Sequence, residues 1–357
     1  MSNLIYKWLK SENASSLETK RLAKKTRDAL HLTSKQYRKL LSWGREKEKV
    51  LEVLMSANRW NEIDFSKIPS KAGLIYKNAF ARRDIIAKKY EHFAKDKDTK
   101  VNAAALYPYE VVTKACPQYS WFGEFQDISE TDRAMINKYW ENLPDYLNGA
   151  DADILCVIDT SGSMTSTYGT SVKPIDVAIS LGLYCAERNH GAFANHYISF
   201  ASRPQLIATS GYDFVDKVQR IYKTNLVDNT NLEAVFDLLL NKVLCGRAKA
   251  EDLPSTIVVI SDMQIDSATR CSWSENSAAT EMEKIKAKWA RLGFRCPKII
   301  YWNVSARGDA NIIDKGPDVS FVSGFSPVIF KSVLTGKTGR DLMLEVICGK
   351  RYEAVTL

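Results

Sequence analysis

Nothing in this sequence reads as a membrane span, a secretion signal or a disulfide framework. No run of about 18 apolar residues occurs, so no helix of membrane-crossing length is expected. The opening residues, MSNLIYKWLKSENASS, hold no apolar stretch of signal-peptide length. The seven cysteines (Cys116, Cys156, Cys185, Cys245, Cys271, Cys296 and Cys348) form no C-x-x-C pair, and an odd number cannot all be paired. Most sit among apolar neighbours, as in Leu155-Cys156-Val157 and Tyr184-Cys185-Ala186, where cysteine behaves as a small hydrophobe. The four histidines, His31, His92, His190 and His196, are too scattered for a metal cluster. No internal repeat of fixed period and no low-complexity tract is evident. A soluble, cytoplasmic (intracellular) protein with no membrane partner is expected.

What is present is a chain of 357 residues with 45% apolar composition, enough for one large or two medium domains. Its charge is unevenly placed. Residues 1–100 carry 24 Lys and Arg against 12 Asp and Glu, residues 101–150 carry 3 against 7, and residues 151–357 carry 23 against 23. The whole positive excess therefore lies in the first hundred residues, as expected for a polyanion-facing half joined to a neutral half. Lysine-rich helical surfaces that serve solubility alone produce the same bias.

The first 150 residues read as a basic all-α region. Thr33 or Ser34 caps a helical segment, SKQYRKLLSWGREKEKVLEVLM, with Tyr37, Leu40, Leu41 and Trp43 toward one face. After Pro69 a second helical pattern, KAGLIYKNAFARRDIIAKKYEHFAK, places Leu74, Ala79 or Phe80, Ile86, Tyr90 and Phe93 at helical spacing. Within it, Arg82, Arg83, Lys88 and Lys89 are candidate RNA contacts, with Arg82 and Lys89 aligned seven residues apart. Residues 115–150 are aromatic-rich and are expected to be an irregular connector.

At Asp153 the period changes. Ile154-Leu155-Cys156-Val157-Ile158 is a continuous apolar run of strand length, followed by a Gly/Ser/Thr loop and the apolar helix PIDVAISLGLYCAERN. Further strands are expected at 196–200, 205–209, 255–261, 298–303 and 319–323, with helices near 213–222, 231–244, 275–292 and 326–335. Alternation of this kind predicts an α/β fold for residues 151–357, a Rossmann-like, doubly wound, mostly parallel sheet. Ligands of such sheets bind at the carboxyl ends of the strands, where Asp159 and Asp262 both fall.

Asp159, Ser161 and Ser163 make a D-x-S-x-S loop leaving the first strand. Thr230, at a helix start, and Asp262, after the apolar run Thr256–Ile260, come from two more loops at the same edge. Oxygen donors of this kind suit a hard cation such as Mg²⁺ or Mn²⁺. Asp176 and Asp266 lie near in sequence and are candidates to support such a site, although such positions are more often helix-start or loop carboxylates. The set resembles the metal-ion-dependent adhesion site of von Willebrand factor A domains. In that site two serines and a threonine contact the metal, and the aspartates act directly or through water. The resemblance implies metal ligation by Asp159, Ser161, Ser163, Thr230 and Asp262.

Further blocks carry a wider resemblance: Met55-Ser56-Ala57-Asn58-Arg59-Trp60, Ile63, Ile68-Pro69-Ser70, Ala105-Leu106-Tyr107-Pro108-Tyr109-Glu110, Tyr301-Trp302-Asn303 and Val322-Ser323-Gly324-Phe325-Ser326-Pro327. Over roughly residues 35–357 the chain resembles a TROVE-like or Ro-like uncharacterised family, which pairs a helical region with a C-terminal A domain. Its layout is similar to that of the Ro proteins, whose helical repeats bind small RNAs. About 150 helical residues are too few for the closed repeat ring of those proteins, so the likeness to them is one of layout.

Two functions follow as expectations. In one, the chain is an RNA-binding ribonucleoprotein component whose A domain uses its metal to bind an acidic residue of a protein partner. In the other, it is a protein-interaction adaptor or assembly factor without nucleic acid. An enzyme is not expected, because no nucleophile–base pair, phosphate-binding loop or second-metal cluster accompanies the D-x-S-x-S loop.

Overall fold

A computed structural model describes residues 5–116, 125, 127–146, 153–167, 172–189, 191–224, 231–262, 275–305, 312–314, 318–325, 329, 333 and 339–349. The chain forms two compact units, Met1–Asn102 and Ala103–Leu357. Among the described residues no helix is long and apolar enough to cross a membrane.

The first unit is helical: α1 (Ile5–Trp8), α2 (Leu17–Ala29), α3 (Ser34–Lys47), α4 (Leu51–Ser56), α5 (Ser70–Ala81) and α6 (Asp84–Lys95). Thr33 is the cap of α3. Its Oγ1 accepts from Gln36 N at 3.3 Å while Gln36 Oε1 accepts from Thr33 N at 2.9 Å, a reciprocal box that satisfies two otherwise orphaned donors. The expected long helix after it breaks at Lys49, whose φ of 49° lies in the left-handed region.

The expected second helix also breaks, between Arg82, the last-turn cap of α5, and Arg83, which is extended at φ −97° and ψ 103°. Aromatic packing gives the reason. Phe80 and Tyr90 have ring centroids 5.5 Å apart, and both pack on Phe65 at 5.3 and 5.2 Å. Ten residues along one straight helix would separate them by roughly 15 Å. Only a chain folded back on itself brings them onto one residue. The helical alignment of Arg82 with Lys89 is therefore corrected: Arg82 caps the end of α5, whereas Lys89 lies within α6.

The second unit holds α7 (Pro108–Ala115), α8 (Glu130–Glu141), β1 (Ile154–Ile158), α9 (Pro174–Arg188), β2 (His196–Ser199), β3 (Leu206–Ala208), α10 (Phe214–Lys223), α11 (Leu232–Leu244), β4 (Thr256–Ser261), α12 (Glu275–Arg291), β5 (Lys298–Asn303), β6 (Ile312–Asp314), β7 (Val319–Ser323) and α13 (Gly339–Ile347). The strands form one sheet in the order β3-β2-β1-β4-β5-β7-β6. The five inner strands are parallel, and the short edge strands β3 and β6 are antiparallel to their neighbours. The expected α/β, doubly wound, mostly parallel sheet is present. The three-residue strand β6 was not anticipated, being too short to show a period. The helix expected near 326–335 falls mostly outside the described residues.

Side chains alternate across the sheet. Leu155 and Val157 of β1 point toward α11 and α12, joining Phe236, Leu239, Met282 and Trp289 in a fully buried core. Cys156 and Ile158 point the other way, onto Gly182 of α9. A Cβ at Gly182 would lie 2.7 Å from Ile158 Cγ1, so this glycine sets how closely α9 approaches the sheet.

The aromatic-rich stretch 115–150, expected to be irregular, contains α8. Its start signals are ordinary ones: Ser129 Oγ accepts from Asp132 N at 3.2 Å, and Glu130 and Asp132 stand in the first turn. Met135, Ile136, Tyr139 and Trp140 form its buried stripe. Trp140 stacks on Phe214 of α10 with ring centroids 4.1 Å apart, and its Nε1 donates to Glu187 Oε2 at 2.7 Å. Arg133 forms a fork on Asp213, both bonds 2.6 Å. These contacts make α8 part of the sheet unit rather than a connector, so the second compact unit begins well before residue 151.

Candidate functional site

The strand order reverses at β1. The chain first moves outward to β2 and β3, then returns to β4 on the other side of β1. In open α/β sheets such a switch point, at the carboxyl ends of the strands, is where ligands are bound. Asp159 directly follows β1, and Asp262 directly follows β4. Because Ile158 stands opposite Ile260, the pairing register sets Asp159 beside Ser261 and brings Asp262 to the same edge.

Asp159 is buried, 3% exposed, and both its oxygens are engaged. Oδ1 accepts from Ser161 N at 2.9 Å, and Oδ2 accepts from Ser261 Oγ at 2.6 Å. Asp159 thereby clamps its own loop onto the neighbouring strand. Gly162–Thr165 follow as a 3-10 turn, with Met164 N donating to Ser161 O at 3.1 Å. The turn brings Ser161 Oγ and Ser163 Oγ to 3.1 Å of each other. Asp262, 5% exposed, donates its backbone N–H to the sulfur of the buried Met164 at 3.1 Å. The contact ties the loop after β1 to the end of β4. Gly162 has ordinary φ, and a Cβ there would meet open space.

Burial raises the Asp159 carboxyl above its ordinary value. The bonds from Ser261 and Ser161 oppose that shift, and the Asp262 charge adds to it. A buried carboxylate beside a second carboxylate is an arrangement that a cation would relieve. In an octahedral Mg²⁺ shell with bonds of about 2.0–2.1 Å, adjacent oxygens lie roughly 2.9 Å apart. The serine oxygens match that edge length. Among the described residues no group of three His, Cys, Asp or Glu side chains could hold a metal. The donor set here consists of hydroxyls with two carboxylates, and hydroxyl, carboxylate and water oxygens are the ligands Mg²⁺ and Mn²⁺ favour.

Of the five residues expected to ligate, the structure thus brings together Asp159, Ser161, Ser163 and Asp262. Thr230 lies outside the described residues, as does Asp266. Asp176 takes a different part. It accepts from Thr113 Oγ1 of α7 at 3.1 Å and from the Tyr222 hydroxyl of α10, and burial raises its carboxyl. It ties three helices together behind the loop. Ser261 and Met164 were missed by sequence reasoning. Ser261 was findable as a hydroxyl at the end of β4, whereas nothing in the sequence marks the contact of Met164 with Asp262.

The four basic residues expected to meet RNA, Arg82, Arg83, Lys88 and Lys89, are all exposed. They are not equally available. Arg83 lies over the Trp60 ring, 4.9 Å from its centroid. Lys89 donates to Ile63 O at 2.7 Å and to Asn61 O at 3.4 Å, stitching α6 to the preceding segment. Arg82 and Lys88 keep their charge toward solvent.

Comparison with known proteins covers most of the chain. Residues 1–150 match a family model described as a domain of unknown function (DUF2828). The chain is 28% identical over 354 residues to Uncharacterized protein L728 of Acanthamoeba polyphaga mimivirus, covering 94% of this chain and 58% of the relative. It therefore spans little more than half of that relative's length. The RO (RSR) protein of Deinococcus radiodurans aligns over 94% of this chain and 74% of its own, at 14% identity and a TM-score of 0.46. Residues 153–348, more than half of the chain, match the model described as a domain of unknown function (DUF7788), and the chain belongs to that family.

Proposed function

We propose that this chain is a cation-dependent binding protein. Its sheet unit would hold one Mg²⁺ or Mn²⁺ through Ser161, Ser163, Asp159 and Asp262, with Thr230 as a further ligand, in the manner of a von Willebrand factor A domain. The observation that carries the reading is the pair of serine oxygens 3.1 Å apart beside two buried carboxylates at the switch point of the sheet. Neutral hydroxyls leave a bound cation under-neutralised, so it would attract a carboxylate from a protein partner. Both Asp159 oxygens already accept hydrogen bonds, which suits a loop clamp and not a nucleophile. The role proposed is binding, not catalysis.

Calorimetry of the full chain after chelator treatment tests this. About one Mg²⁺ or Mn²⁺ per chain is expected. Replacing Ser161 and Ser163 together by Ala should abolish the heat without changing the far-ultraviolet spectrum. Unchanged affinity in that variant would overturn the assignment.

A second reading concerns the first unit. The excess of Lys and Arg over residues 1–100 favours RNA as a partner, in a ribonucleoprotein component. Binding of cellular RNA to the full chain should weaken steeply with salt. Salt-independent binding, or none, would leave the protein adaptor as the function.

A further inference from the structure

The outer face of α3 carries a regular stripe. Lys35, Lys39, Trp43 and Lys47 recur every fourth residue, each about 40° round the helix from the last, and all four are exposed. The stripe runs about 18 Å. The opposite face, Tyr37, Leu41 and Gly44, is the buried one. The arginines of α3 are structural: Arg45 donates to Tyr6 O at 3.1 Å and Leu9 O at 2.9 Å, and Arg38 to Ser34 O at 3.3 Å. The acids of α3 and its cap are also engaged, Glu46 by Arg59, and Glu48 by the backbone N–H groups of Tyr6 and Lys7. Among the described residues, Lys35 and Lys39 have no acidic partner, and Lys47 lies over the Trp43 ring at 4.9 Å.

Like charges at this spacing repel, so the row is a small local cost to the helix. An exposed tryptophan in the middle of it adds nothing to the core, since 55% of Trp43 remains in solvent. Yet the ring is held in place. Tyr6 packs edge-on against it, with centroids 5.9 Å apart and planes at 87°. Gly44 makes room for that, because a Cβ there would overlap the Tyr6 ring.

We infer that this stripe is a track for single-stranded nucleic acid, with Lys35 and Lys39 contacting phosphates and Trp43, backed by Lys47, stacking a base. The inference rests on the reading that the first unit meets RNA, and it names the surface. Two free ammonium groups in line with an indole complement a strand of phosphates and bases, and every base has a face to offer an indole. A closed duplex has no base face to give, which makes the strand single.

The test uses the full chain and a fluorescein-labelled 20-mer of oligouridylate, titrated at several salt concentrations. Changing Lys35 and Lys39 to Ala should make the slope of log affinity against log salt shallower by about 1.4, at about 0.7 for each phosphate no longer neutralised. Trp43→Ala should weaken binding roughly ten- to a hundredfold at an unchanged slope. All these side chains are exposed, and far-ultraviolet spectra of the variants should match the wild type. If the wild type binds and both variants bind identically, the stripe is not the site, although the RNA reading stands. If the wild type does not bind, both fall. Loss of binding to phosphatidylserine vesicles in the variants, with oligouridylate binding intact, would also overturn the proposal in favour of a lipid surface.

Discussion

Removing the Trp140 side chain asks whether the sheet unit is complete without the residues before 151. Trp140 is 3% exposed, stacked on Phe214 and edge-on to Tyr184 at 6.4 Å. Trp140→Ala would leave an indole-sized cavity between α8, α9 and α10. Large-to-small changes at such sites cost about 3–5 kcal/mol. The lost indole bond adds little beyond this, because Glu187 keeps Lys217 as a partner at 2.6 Å. The expectation is thus about 4 kcal/mol, nearly all of it from packing. Trp140→Phe keeps a stacked ring and should cost much less. Hydrogen exchange followed by mass spectrometry on the full chain reads the result directly. Peptides covering β1 and β4 report the opening free energy of the sheet. In Trp140→Ala that free energy should fall by the stated amount. A fall of less than about 1 kcal/mol at both strands, a size ordinary for surface changes, would refute the placement of α8 in the sheet unit.

The remaining predictions concern packing and charge in the same unit. Gly182→Ala should destabilise it by roughly 1–3 kcal/mol, because the added methyl meets Ile158 in a closed core. A melting temperature equal to the wild type would show that α9 can shift freely. The fork from Arg133 to Asp213 should be sensitive to acid. Burial pushes the Asp213 carboxyl up, but Arg133, Asp216 N and Asn137 together hold it below its ordinary value. A lowered carboxyl stabilises the fold above its unfolded value, near 4, and that contribution disappears as pH falls through the folded value. The stability difference between wild type and Arg133→Met should be full at pH 7 and shrink below about pH 4, as measured by urea denaturation. A difference that is constant down to pH 3 would mean that Arg133 acts by packing alone.

The parts of the fold governed by local periodicity were legible from residue order alone. Ile154–Ile158 and Thr256–Ile260 are unbroken apolar runs, and such runs can only be strands buried on both faces or core helices; their length and flanking loops decide for strands. The D-x-S-x-S loop was legible because its donors are neighbours in the chain. The place of Asp262 at the same sheet edge was legible because it directly follows an apolar strand. What needed tertiary structure was everything decided by residues far apart. Periodicity reads straight through Arg82 and Arg83, and only the gathering of Phe80 and Tyr90 around Phe65 shows that the helix turns back there. Aromatic density hid α8, because Tyr139 and Trp140 are poor helix formers whose burial against Phe214 and Tyr184 overrides propensity. The clamp of Ser261 on Asp159 spans 102 residues, and the contact of Met164 with Asp262 spans 98. No local rule joins such pairs; the parallel register of β1 with β4 does, by setting two strand ends side by side.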